Sequence, residues 1–232
     1  MADSAKGLHE SALDYLPSGG GLPALRRAAA DCRGCVLYAH ATQTVFGLGP
    51  ADARTVLVGE QPGDQEDRQG KPFVGPAGGL LHKALAEAGI DENQVYFTNA
   101  VKHFKFAPLT DTRKKRIHKT PNLREITACR PWLAAELRRI DPELVVALGA
   151  TAGKALFGSS FRVSEARGAL LPLPDLSKWD MPPEQDAVQE AEENGHRFLA
   201  TVHPSAVLRA KNRADAYQGL LSDLRMAAHF LA

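Results

Sequence analysis

A chain of 232 residues, 44% apolar and 24% charged, fits one large α/β domain, or at most two small ones, with a substantial buried core. Its formal net charge of +1 leaves no global pull on nucleic acid, so any such surface must be a local patch. No apolar run is long enough for a membrane span and MADSAKGLHE lacks a signal-peptide core, so the expected location is the cytoplasm.

Residues 1–21 are polar, end in Ser18-Gly19-Gly20-Gly21 and read as a mobile lead-in, with a single domain over residues 22–232. Helix-forming composition from Leu22 to Ala30 leads into Cys32-Arg33-Gly34-Cys35. In a reducing compartment this CxxC reads as metal, cluster or redox chemistry. The chain holds three cysteines, one ligand short of a four-coordinate site. Short apolar runs, Thr55–Gly59, Val95–Thr98, Leu144–Gly149 and Phe198–Val202, read as strands buried on both faces of a parallel sheet. Between them lie helical stretches, Ala77–Ala88, Leu123–Ile140 and Thr151–Phe157, and Arg213–Leu231 closes the chain. This alternation predicts an α/β fold of three layers, a central parallel sheet flanked by helices. Residues 180–194, with six acidic side chains, two prolines and no cation, read as a solvated surface insertion.

Ligands of such sheets bind at the carboxyl ends of the strands. There the first strand is followed by Glu60-Gln61-Pro62-Gly63-Asp64, the second by Asn99 and the fourth by His203-Pro204-Ser205. The third ends in Gly149-Ala150-Thr151, a turn into a helix to which no chemistry is assigned. A lone polar residue after a strand is usually a helix cap. A carboxylate, a carboxamide and an imidazole at three strand ends point instead to a site. A second constellation lies between Lys102 and Lys119, with seven Lys or Arg against Asp111 alone. It reads either as a solvated face or as a grip on phosphate. Its embedded His118 has cationic neighbours that lower an imidazole pKa and keep a ring nitrogen free.

These segments resemble the uracil-DNA glycosylase superfamily. The resemblance runs from Cys32 to about Leu224 and is closest to the cluster-containing bacterial branch, within it the X-type glycosylases. It is carried by Gly59-Glu60-Gln61-Pro62-Gly63-Asp64, Gly70-Lys71-Pro72-Phe73-Val74-Gly75-Pro76-Ala77-Gly78, Thr98-Asn99-Ala100-Val101-Lys102-His103 and His203-Pro204-Ser205. The loop Lys114-Lys115-Arg116-Ile117-His118-Lys119-Thr120-Pro121 is similar to the X-type group alone.

The resemblance implies excision of a flipped uracil from DNA. Phe73 would stack on the base and Asn99 would match its N3–H and O4. His203 would donate to O2 as charge develops there, and Glu60 would stand by the cationic sugar. Gln61, Asp64 and Ser205 are carried as base-side or loop-positioning residues, and Lys114, Lys115, Arg116 and Lys119 as phosphate contacts. The resemblance to the X-type group further implies that His118 would capture C1′ of the deoxyribose and stay attached. Cluster-containing relatives have a fourth cysteine where this chain has His103, so Cys32, Cys35, His103 and Cys129 are assigned to a 4Fe–4S cluster; a Cys₃His zinc site fits the same residues. The implied partner is uracil-containing DNA, single strands included, bound by a monomer. Two alternatives stay open: a turnover glycosylase that releases abasic product, and a zinc-stabilised nucleic-acid-binding module without chemistry. The remaining histidines, His9, His40, His82, His196 and His229, read as surface or packing residues.

Overall fold

A computed structural model describes residues 11–107, 116–174 and 195–232. Within them the strands are β1 (Thr55–Gly59), β2 (Val95–Asn99), β3 (Phe106–Ala107), β4 (Ile117–His118), β5 (Leu144–Leu148), β6 (Leu170–Pro172) and β7 (Arg197–Thr201). The helices are α1 (Gly21–Ala30), α2 (Asp64–Gln69), α3 (Pro76–Ala88), α4 (Leu123–Ile140), α5 (Ala150–Phe157), α6 (Val163–Ala166), α7 (Pro204–Arg209) and α8 (Arg213–Leu231). The main sheet has the order β2-β1-β5-β7-β6, parallel except for β6, which lies antiparallel to β7 at one edge. β3 and β4 form a separate antiparallel pair, Phe106 opposite His118.

Alternation along the strands divides the core between the two faces. Val56, Val58, Tyr96, Val145, Ala147 and Phe198 point toward the layer of α1, α4 and α5, where Trp132, Leu133 and Leu156 meet them. Leu57, Phe97, Leu144, Val146, Leu148 and Leu199 face α3, α7 and α8, packing on Leu81, Leu85, Val207 and Leu224. This is the three-layer α/β arrangement expected from the sequence.

Helix ends carry local signals. α3 starts with Pro76 in its first turn and stops at Gly89, φ 79°. α4 opens on a capping box: Asn122 Oδ1 accepts from Glu125 N–H (2.9 Å) and Glu125 Oε2 from Asn122 N–H (2.7 Å).

Three features depart from the sequence reading. The edge strand β6 and the pair β3–β4 are too short to show an alternating pattern. α2, Asp-Gln-Glu-Asp-Arg-Gln, has no apolar stripe; three carboxylates in its first turn and Gly70 at its end, φ 69°, define it instead. The lead-in expected to be mobile touches the core between residues 12 and 16: Ala12 is buried, its N–H donates to the Ala128 carbonyl (2.8 Å), and Tyr15 and Leu16 rest on the core. The acidic insertion lies outside the described residues. Among the described residues no helix is long and apolar enough to cross a membrane.

Candidate active site

Parallel strands bring Gly59 and Asn99 into register at the carboxyl ends of β1 and β2. Gly59 is required there for space. A Cβ on it would stand 2.3 Å from Asn99 Oδ1 and 2.7 Å from Phe73 Cζ, so the buried carboxamide and the phenyl ring close over the bare backbone. Phe73 has φ 56°, a left-handed conformation that bulky residues adopt only under external constraint. The constraint is visible: its ring packs on Phe97, centroids 5.9 Å apart, and His82 Nε2 reaches its carbonyl at 3.3 Å. A Cβ on Gly78 would stand 1.8 Å from that carbonyl. His82, read as a packing residue, is thus a buttress for Phe73, held in turn by Glu92 Oε2 at 2.9 Å.

Glu60 follows directly. Its Oε2 accepts from Thr151 Oγ1 (2.7 Å). Thr151 stands at the end of the third strand of the sequence reading, which therefore contributes to the site after all. Glu60 Oε1 is buried without a hydrogen bond, and His118 Nε2 lies 3.3 Å from it, close enough for an ion pair but outside hydrogen-bond geometry. Burial lowers the pKa of His118 from its ordinary value; Glu60 opposes this and Arg209 adds to it. Burial also lowers His203, to about 4, with smaller contributions from the neighbouring His118 and from Arg209. Ser205 N–H donates to His203 Nδ1 (3.1 Å), and the Ser205 hydroxyl is 2.8 Å from the same atom. With Nδ1 accepting, the neutral ring carries its proton on Nε2, a ready donor. Ser205 thus sets the tautomer of His203.

His118 comes from β4, and the hairpin carrying it is anchored by residues to which the sequence reading gave other tasks. Arg116, carried as a phosphate contact, has a side chain only 10% exposed. Its Nε donates to Asp64 Oδ1 (2.5 Å) and Nη1 to Asp67 Oδ2 (2.5 Å) and Thr42 Oγ1 (3.1 Å). Its guanidinium lies over the rings of Phe104 and Phe106, 5.2 and 5.1 Å from their centroids. Arg116 is an internal anchor, which corrects its assignment to phosphate. Gln61, expected beside the base, is instead committed to the hairpin's backbone: its Nε2 donates to the carbonyls of Lys105 (3.1 Å) and Lys119 (3.0 Å), and its Oε1 accepts from Lys105 N–H (2.9 Å). Asp64 positions the loop through Arg116 and Arg68.

The basic run thins out in the same way. Lys102 is fully buried against Glu136, and Lys105 pairs with Glu125 at 2.8 Å. Lys119 remains exposed; Lys114 and Lys115 lie outside the described residues. A cation the sequence reading missed, the exposed Arg209 at the end of α7, sends its field onto both His118 and His203. Its only sequence signal is its place, six residues after His203.

Behind the sheet end, Cys32, Cys35 and Cys129 are buried and form no disulfide. Burial raises the Cys129 and Cys35 thiols, and each is raised further by its cysteine neighbours, which places the three in one electrostatic neighbourhood. Trp132 Nε1–H donates to Cys32 Sγ (3.3 Å) and Lys102 N–H to Cys129 Sγ (3.2 Å). His103 Nε2 is 2.9 Å from Thr44 Oγ1, while its Nδ1 is buried without a hydrogen-bond partner. Among the described residues no three His, Cys, Asp or Glu side chains converge on a single-ion site. Three buried thiols and a buried imidazole nitrogen without a hydrogen-bond partner are donors of the kind an iron–sulfur cluster takes.

Residues 46–225 match the family model described as the uracil DNA glycosylase superfamily. The chain belongs to this superfamily. Among relatives of this superfamily member, a Type-4 uracil-DNA glycosylase of Thermotoga maritima is 34% identical over 202 residues, covering 86% of this chain and 89% of that protein. One of Archaeoglobus fulgidus is 31% identical over 194 residues, covering 83% and 85%. A DNA polymerase of Bacillus phage SP01 is 30% identical over 186 residues, 80% of this chain but 16% of the polymerase.

The neutral state of His203 has a pH signature in stability. Its folded pKa of about 4 lies below the ordinary 6.5. Between those values the unfolded chain takes up a proton that the folded site refuses. This contribution is therefore complete above pH 6.5 and is lost as pH falls toward 4. Urea unfolding midpoints should drop more from pH 7 to pH 5 in the wild type than in His203→Gln; equal drops would contradict a neutral, buried His203.

Proposed function

We propose that this chain excises uracil from DNA and then captures the deoxyribose on His118. The observation that carries the reading is the approach of His118 Nε2 to within 3.3 Å of Glu60 Oε1, on a hairpin anchored by Arg116, at the sheet end that also carries Asn99 and His203. Phe73 supplies a face for the flipped base, and the Asn99 carboxamide offers a donor and an acceptor to the uracil edge. As the C1′–N1 bond breaks, its electron pair goes to uracil, and the Nε2–H of His203 meets the charge growing on O2. Glu60, oriented by Thr151, stabilises the positive sugar. The neutral His118 then attacks: the Nε2 lone pair forms a bond to C1′, and the resulting imidazolium releases its Nδ1 proton to water, which protonates the departing uracil. Tethering gives the ring a large advantage in effective concentration over water.

The exposed cations Lys119 and Arg209 are assigned to phosphate, as Lys114 and Lys115 are from their place in the basic run. Cys32, Cys35, Cys129 and His103 would hold a 4Fe–4S cluster. Such a group supplies a covalent brace joining the segment after α1, the turn after β2 and α4.

Removing the His118 ring leaves the bond-breaking residues in place. His118→Ser should therefore abolish the heat- and detergent-stable adduct with uracil-containing single-stranded DNA yet still produce abasic sites, read by alkaline cleavage. An adduct persisting in that variant would move the nucleophile elsewhere, and loss of both products would place His118 in the cleavage step. In the wild type, free abasic DNA without adduct would establish a turnover glycosylase.

Binding to undamaged single-stranded DNA should show the same division of charge. Lys119→Gln and Arg209→Gln should each reduce the slope of log affinity against log salt by about 0.7. Arg116→Gln, by contrast, should leave that slope nearly unchanged. A full reduction with Arg116→Gln and none with Arg209→Gln would reverse the assignment.

A further inference from the structure

Lys102 joins the cysteine neighbourhood to the end of β2. Its backbone N–H donates to Cys129 Sγ (3.2 Å). Its ammonium donates to the Asn99 carbonyl (2.8 Å), Thr98 Oγ1 (2.6 Å) and Glu136 Oε2 (2.5 Å), so all three N–H bonds are used. Glu136, equally buried, also accepts from Gly47 N–H (3.0 Å), Tyr96 O–H (3.0 Å) and Thr98 O–H (2.9 Å). The turn between Asn99 and Lys102 is tied to the next strand end, Ala100 N–H to the Gly59 carbonyl (2.9 Å) and Val101 N–H to the Glu60 carbonyl (3.1 Å).

Stability alone does not call for this arrangement, because well-packed apolar side chains often replace a buried ion pair without loss. What the ammonium adds is direction. It fixes the last two residues of β2, and Asn99 has little latitude, since its carboxamide already closes over Gly59 with the Phe73 ring. An error on the order of 1 Å in such a reading group is costly.

We propose that Lys102 is a positioning residue that couples the Cys129 site to the uracil-reading carboxamide of Asn99. The inference rests on the glycosylase reading above. A sulfur bound to metal carries charge and accepts a hydrogen bond more strongly than a free thiol. What Cys129 holds is therefore felt at the Lys102 peptide, three residues from Asn99. Coupling of this kind is reciprocal: uracil in the pocket acts back on the sulfur.

The test uses the iron-loaded protein, free uracil and an undamaged single-stranded oligonucleotide. Lys102→Met combined with Glu136→Gln removes the ammonium without stranding a buried charge and keeps the backbone N–H on Cys129. This double variant should retain its iron and its affinity for undamaged DNA but bind uracil about tenfold more weakly, the equivalent of one buried hydrogen bond. Uracil should perturb the visible absorption of the wild type, and the perturbation should vanish in the double variant. Undiminished uracil affinity in the variant overturns the positioning role. Parallel loss of iron, DNA affinity and uracil affinity makes Lys102 merely structural and overturns it as well. A wild-type spectrum indifferent to bound uracil overturns the coupling whether or not the variant folds. A wild type that binds no uracil at all overturns the glycosylase reading, and this inference falls with it.

Discussion

The paired contact of Arg116 with Asp64 and Asp67 decides where His118 stands, and the chemistry proposed for the chain depends on that position. Two strands of two residues each cannot hold themselves together in water. Arg116 supplies what the pairing lacks: two carboxylates, the Thr42 hydroxyl and two aromatic faces converge on one guanidinium, and planar delocalised charge suits all of them. A buried charge is costly unless every donor is met, and that demand makes the position specific. Gln61 closes the base of the hairpin, and His118, two residues beyond Arg116, is left facing Glu60.

Electrostatics in the site follow from the same economy of charge. A protein of net charge +1 cannot rely on a diffuse positive field, and several cations of the basic run are turned inward against Glu125, Glu136, Asp64 and Asp67. Burial is the first cause that lowers both imidazoles, with Arg209 a smaller one on each, His118 a further one on His203, and Glu60 opposing at His118. The two rings then divide the work by tautomer and exposure. In the proposed reaction His203, fixed by Ser205, would offer a proton, whereas the half-exposed His118 would offer a lone pair on the side of Glu60.

Much of this was legible in the sequence, for a definite reason. Strands buried on both faces and helices with one apolar stripe announce themselves in composition, so β1, β2, β5 and β7 and the helices α1, α3, α4 and α8 lie close to where the pattern puts them. Glu60, Asn99 and His203 were legible because parallel topology sends every strand's carboxyl end to one side. Arg116 was misread because a run of cations looks the same whether it faces phosphate or folds back on carboxylates fifty residues earlier. Thr151 escaped because a hydroxyl after a glycine turn is also an ordinary helix start. Lys102 escaped because nothing local marks a lysine as buried; its partner Glu136 lies on another element. The strain at Phe73 and the bare surface of Gly59 are likewise products of tertiary packing.

In the proposed capture, a ring beside the cationic sugar would differ from an attacking water in one lasting respect: the bond it forms would remain on the protein. The most direct measurement is therefore mass spectrometry of the adduct with uracil-containing DNA, digested with protease and nuclease, to locate the deoxyribose-derived mass. The account predicts that mass on the imidazole of His118, in the peptide that follows Arg116. A modified Glu60, a modified lysine such as Lys119, or unmodified peptides throughout would contradict it.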